Sequence, residues 1–71
     1  MNRIQMIGHY DMIRLGKRYE DGVFFTISFV RRNYGFDIFK DNEYFGHYNL
    51  GDSWEYLQGC YDVGYKTVEK Q

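Results

Sequence analysis

Both histidines of the chain sit inside a repeated heptapeptide. Met6-Ile7-Gly8-His9-Tyr10-Asp11-Met12 and Tyr44-Phe45-Gly46-His47-Tyr48-Asn49-Leu50 each run apolar, apolar, Gly, His, Tyr, Asx, apolar. Brought together, His9 and His47 could share a proton near neutral pH or hold one side of a metal ion. Two histidines do not fill a four-ligand zinc shell, and no cysteine or carboxylate stands at a matching spacing. No metal and no cofactor is therefore expected. The plainer expectation is a pair of similar strands, each with a glycine that lets a neighbouring ring pack close.

Two basic–aromatic runs are the next candidates: Lys17, Arg18 and Tyr19, then Arg31, Arg32 and Tyr34. On one edge of a sheet they would make a small positive patch with rings free to stack, which suits phosphates and unstacked bases. Tyr and Arg are also the residue types that anchor protein interfaces. These six positions are the candidate partner-binding set. Glu20, Asp21 and Asp37 would partly neutralise them. A duller role is a solvated hairpin end whose charges keep a sheet edge from aggregating.

Nothing else points to a reaction. The carboxylates are scattered, with no pair placed for acid–base work. Cys60 falls in the middle of an apolar helical stripe, where packing is expected, because a reactive thiolate needs an exposed, electropositive site. Ser53 stands where a helix would be capped. The glycines are dispersed singly, so no phosphate-cradling loop exists. The chain is expected not to be an enzyme.

The elements that must position these residues follow from pattern and punctuation. Seventy-one residues make a single α+β domain, 1–71, that needs large side chains for its core. The aromatic fraction of 21% supplies them, and eight tyrosines exceed what the core can hold. Val23, Phe25, Ile27 and Phe29 alternate with Phe24, Thr26, Ser28 and Val30, the period of a strand over Val23 to Arg32. Asn33-Tyr34-Gly35 turns the chain into a strand from Phe36 to Lys40. Asp41-Asn42-Glu43 turns it again into Tyr44 to Leu50. Such short loops require an antiparallel meander.

Gly51 ends the sheet. Asp52 with Glu55 has the spacing of a capping box, and Ser53 is a rival cap. Trp54, Leu57, Cys60 and Tyr61 then form a helical stripe, expected to lie over Val23, Phe25, Ile27 and Phe29. Gly64 suits the position after the helix, and Tyr65 to Glu69 a last edge strand, with Lys70 and Gln71 frayed. Met1 to Leu15 fits either a helical stripe or a strand. A strand bulged at Gly8 is favoured, since Ile, Tyr and Met dominate and no cap precedes a helix. Gly16 to Gly22 then reads as the hairpin connection. The whole is a small antiparallel sheet of three to five strands covered on one face by a single helix.

Charge and composition limit the partners. Nine Lys and Arg against ten Asp and Glu give a net charge of −1, so no global field draws nucleic acid. One cysteine excludes an intrachain disulfide, and no stretch is long and apolar enough for a leader or membrane span. A cytoplasmic setting is expected, with no membrane. The chain lacks alanine and proline and is rich in Phe, Tyr, Met, Ile, Asn and Lys, which suits an AT-rich genome such as a phage or mobile element.

Two functions are therefore expected. The first is a small binding protein that occludes a host protein or protein–nucleic acid complex, as inhibitors of host defence do, anti-CRISPR proteins among them. The second is a nucleic-acid-binding sheet. The run Phe39-Lys40-Asp41-Asn42-Glu43-Tyr44-Phe45-Gly46, a turn, and then the helix from Asp52 resembles the last hairpin and helix of AP2-type and integrase-arm DNA-binding domains. The resemblance is architectural and covers about half the chain. Those domains carry more basic residues on the sheet and small residues, often alanine, on the helix, and this chain has neither. An exposed edge strand could also pair with its twin in a homodimer.

Overall fold

A computed structural model of the chain describes residues 7–71. The strands are β1 (Met12–Arg18), β2 (Phe24–Arg32), β3 (Gly35–Lys40) and β4 (Glu43–Tyr48), followed by helix α1 (Leu50–Asp62) and β5 (Lys66–Lys70). They form one antiparallel sheet in the order β4-β3-β2-β1-β5. The first four strands are a meander. The helix leaves one edge of the sheet and crosses its face, and β5 then pairs with β1 at the other edge.

Alternation sorts the side chains. Ile13 and Leu15 of β1, Ile27 and Phe29 of β2, and Phe36 and Ile38 of β3 point to the helix and are buried, together with Ile7, Leu57 and Cys60. Register brings Phe29 beside both Ile13 and Ile38, at the centre of the core. Each such buried side chain contributes about 1.5–3 kcal/mol relative to exposure. Tyr56 sets its ring edge against Phe29, and Trp54 packs at the rim of the same cluster. The expected face of β2 is thus the observed one for Phe25, Ile27 and Phe29. Val23 precedes the strand and is exposed.

Several local expectations change. Ile7 and Gly8 lie in a helical turn and His9 follows it, so residues 7–11 are not a strand; Met12 to Leu15 of that expectation do lie in β1, and residues 1–6 lie outside the described residues. Gly16 belongs to β1, where the ring of Phe24 lies over it, and the hairpin connection is shorter, closing with Tyr19 N–H to the Val23 carbonyl at 2.8 Å. The helix begins two residues before Asp52. Asn49 caps it, its side-chain oxygen accepting from Asp52 N–H at 2.7 Å. Ser53 is fully buried and donates to the Tyr48 carbonyl at 3.1 Å. Gly64, at φ +103, follows the helix as expected. Gln71 does not fray, because its N–H donates to the Met12 carbonyl at 2.8 Å and extends the β1–β5 ladder.

Both edge strands are interrupted. The β3–β4 register shifts between Ile38 and Phe39, leaving Phe45 as an extra residue, and the β1–β5 register shifts between Arg14 and Leu15, leaving Val68. Bulges of this kind bend a free edge away from another chain.

Candidate functional site

The sheet separates the candidate set into two sites. Arg31, Arg32 and Tyr34 lie at the end of β2 where it turns into β3. Lys17, Arg18 and Tyr19 lie where β1 turns toward β2, beside Phe24 and Phe25. β2, nine residues from Phe24 beside Arg18 to Arg32, runs from one to the other, a span of about 26 Å at roughly 3.3 Å per residue. The single edge patch that the sequence allowed does not form.

The first end is a groove of about 860 Å³ lined by Gly8, Asp11, Arg31, Arg32, Asn33, Tyr34, Gly35, His47 and Leu50. Its cations are engaged. Arg31 Nη1 donates to the Gly8 carbonyl at 2.5 Å and Nη2 lies 3.5 Å from Asp11. Arg32 Nε donates to Asp37 Oδ2 at 2.7 Å. The other carboxylate oxygen of Asp37 meets His47 Nδ1 at 2.7 Å, and His47 Nε2 lies 2.6 Å from the Tyr34 carbonyl. The Arg32 guanidinium, then His47, hold the Asp37 carboxyl below its ordinary range. Asp37 and the Tyr34 carbonyl raise His47 above the ordinary histidine value. With His47 charged, Arg32, Asp37 and His47 together carry one net positive charge.

The backbone fixes the turn as well. Gly35 takes φ +104, and a Cβ there would press into the Tyr48 carbonyl oxygen and Asn49 Cα. The β2–β3 turn therefore sits directly on the junction between β4 and α1. From this held turn the Tyr34 side chain projects into solvent, 85% exposed.

The opposite end is aromatic. A groove of about 530 Å³ runs between the C-terminal half of α1 and the β1–β2 and β3–β4 turns, walled by Tyr19, Phe25, Tyr56, Val63 and Tyr65 with Cys60 at its floor. Tyr19 and Phe25 meet edge to face at 5.1 Å. Lys17 Nζ donates to the Val63 carbonyl at 2.5 Å, beyond the end of the helix, and lies 4.7 Å from the Tyr19 ring. Arg18 lies 5.5 Å from the Phe24 ring and Lys40 Nζ 3.8 Å from that of Phe45. Burial pushes the Cys60 thiol up to about 11, with a small opposing effect from Lys40, so the thiol is protonated and unreactive at neutral pH.

On the sheet face away from the helix, Arg14 bridges Ser28 and Glu69 at 3.3 and 3.0 Å, and Phe39 and Tyr44 meet edge to face at 5.7 Å. Among the described residues no helix or strand covers this face. Among the same residues no three His, Cys, Asp or Glu side chains converge as a metal site would require, and no helix is long and apolar enough to cross a membrane.

Arg32, Asp37 and His47 as a hydrogen-bonded unit were not legible as a site. A two-residue hairpin at Asp41-Asn42 without interruption would set Asp37 opposite Gly46. The bulge at Phe45 moves it opposite His47. The repeated heptapeptide did draw attention to His47, and its partner proves to be a carboxylate rather than the other histidine.

The fold and both grooves thus define a small α+β antiparallel-sheet domain with a clamped, charged turn at one end and an aromatic groove at the other. Comparison with protein-family models, with curated proteins and with solved structures finds no match for this chain.

Proposed function

We propose that the chain is a small binding protein that acts by contact with a protein partner and not by catalysis, and that the β2–β3 turn is its anchor. The observation carrying this reading is Tyr34. A tyrosine almost wholly in solvent gains nothing for the fold, yet its turn is clamped by Gly35 and by His47. An aromatic ring presented on an ordered turn beside two arginines is the composition of an interface hot spot, and order before binding reduces the entropy lost on association. When His47 carries its proton, the Arg32–Asp37–His47 unit is net positive and favours an acidic partner surface.

Size and composition support the narrower form of the proposal. A domain of this size can present about 800 Å² to a partner. An AT-rich coding bias suits a phage or mobile element, whose small proteins block host defence machines, CRISPR effectors among them. One cysteine, held as a buried thiol, suits a reducing cytoplasm. The test is a photo-crosslinking residue placed at position 34, with a second at position 19 as control, in lysate of a bacterial host. A discrete adduct at 34 and none at 19 is expected. Adducts at neither position would remove the turn as anchor.

Nucleic-acid binding is the second reading, favoured by one observation: the uncovered sheet face offers Phe24 beneath Arg18 and, further across it, the pair Phe39 and Tyr44, rings on which bases could stack. Against it, Arg14, Arg31 and Arg32 are all tied to carboxylates. A gel shift at low salt that moves neither single- nor double-stranded DNA, nor RNA, would end this reading.

A further inference from the structure

His47 faces acceptors on both sides of its ring. Nδ1 meets the Asp37 carboxylate at 2.7 Å and Nε2 meets the Tyr34 carbonyl at 2.6 Å. A backbone carbonyl has no proton to give, and a carboxylate held ionised by Arg32 has none either. A neutral imidazole carries one N–H and can serve one of these partners. Both contacts together require the doubly protonated ring. The other charged groups around it act in known directions. Arg32, from β2, shares Asp37 and opposes the charge on His47, while Arg31 and Asp11 pair with each other across the groove.

We propose that His47 is a proton-dependent latch that clamps the β2–β3 turn, and with it Tyr34, to the edge strand β4. Loss of the proton leaves one N–H, which the Asp37 carboxylate, the stronger acceptor, retains. The bare Nε2 then points a lone pair at the Tyr34 carbonyl oxygen, and two acceptors at 2.6 Å repel. The turn moves away, and Tyr34 loses its fixed presentation while the sheet, which depends on the apolar core on its helix-covered face, stays folded. The latch is closed on the acidic side of its midpoint and open on the alkaline side. Its consequence for binding rests on Tyr34 being the anchor: a partner that binds the clamped turn is held more weakly as pH rises.

NMR on the intact chain tests the latch without any partner. The His47 ring and the Tyr34 and Gly35 amides are followed from pH 5 to 9. The expected result is a ring midpoint above that of an ordinary histidine, with both amides shifting at the same midpoint and exchanging with solvent faster above it. Asp37→Asn should lower the midpoint, and His47→Gln, which still offers an amide N–H donor but does not titrate, should fold and lose the pH dependence of both amides. A ring that titrates while the Tyr34 and Gly35 amides stay still overturns the latch. So does a His47→Gln chain whose amides move with pH as the native ones do. The crosslink at position 34 is read separately, at pH 6 and pH 8.5. A yield that falls at the higher pH supports control of binding by the latch, and an equal yield at both overturns that control while leaving Tyr34 as anchor. Coincident NMR midpoints with no crosslink at either pH keep the latch and remove the binding site.

Discussion

At the β2–β3 turn, Arg32, Asp37, His47 and the Tyr34 carbonyl meet through directed bonds of 2.6–2.7 Å. At the opposite end of the sheet, Tyr19 and Phe25 meet across a ring separation of 5.1 Å, and Lys17 and Arg18 lie beside rings at 4.7 and 5.5 Å. The two ends carry nearly the same residue types and use them differently. Hydrogen bonds to a charged ring are directional and depend on protonation, whereas ring packing tolerates small rotations and is indifferent to pH near neutrality. The first arrangement holds the backbone from which one exposed side chain projects. The second makes an adaptable apolar wall. That difference is why the turn, and not the larger collection of rings, is taken as the anchor.

The most severe disruption should come from the core that both ends share. Phe29 is fully buried between Ile13 and Ile38. Phe29→Ala should cost about 3–5 kcal/mol in urea unfolding, a large share of the stability of so small a domain, and should loosen both ends together. Melting of one end alone would show that the ends have separate supports.

A sharper contrast comes from a glycine at each end. Gly35 and Gly22 both adopt positive φ, +104 and +86, but a Cβ at Gly35 strikes the backbone of Tyr48 and Asn49 while one at Gly22 meets open space. Gly22→Ala should cost about 1–2 kcal/mol from backbone conformation alone, and Gly35→Ala clearly more, with local loss of order around Tyr34. Equal costs would mean that the turn does not rest on the β4–α1 junction.

The smallest effect is the pH dependence of stability. His47 is raised in the folded chain, so its contribution is complete below the ordinary value of 6.5 and fades as pH rises through the folded value. Asp37 is lowered, so its contribution is complete above 3.8 and fades as pH falls through the folded value. Thermal melts should therefore show a shallow maximum between about pH 4 and pH 6.5, and His47→Gln should remove the decline on its alkaline side. An unchanged decline would assign it to other groups.

How much of this was written in the residues depends on the scale of the feature. Period-two alternation in β2 and the punctuation at Asn33-Tyr34-Gly35 and Asp41-Asn42 announce the sheet, and the stripe of Leu57 and Cys60 announces the helix that covers it. These are repeated signals from a buried face. The cap was misplaced because Asn49 and Asp52 are both good capping residues, and the choice between them lies in where β4 lets go of the sheet. Isolated contacts were harder still. The pairing of Asp37 with His47 depends on a one-residue bulge, and Gly46, the one residue that hints at it, does not say which neighbour is left unpaired. The two basic–aromatic runs looked equivalent in sequence, and only the antiparallel topology sends them to opposite ends.

The direct test of the central claim compares the two ends in one binding experiment. Once the partner crosslinked at position 34 is purified, its dissociation constant is measured against the native chain, Tyr34→Ala and Phe25→Ala. Tyr34 is so exposed that its removal should change stability by no more than about 0.5 kcal/mol, so any loss of affinity reports on the surface. The account predicts that Tyr34→Ala weakens binding at least tenfold, about 1.4 kcal/mol, while Phe25→Ala leaves it within twofold. Binding that survives the loss of Tyr34 and fails with the loss of Phe25 would place the function in the aromatic groove and contradict the account.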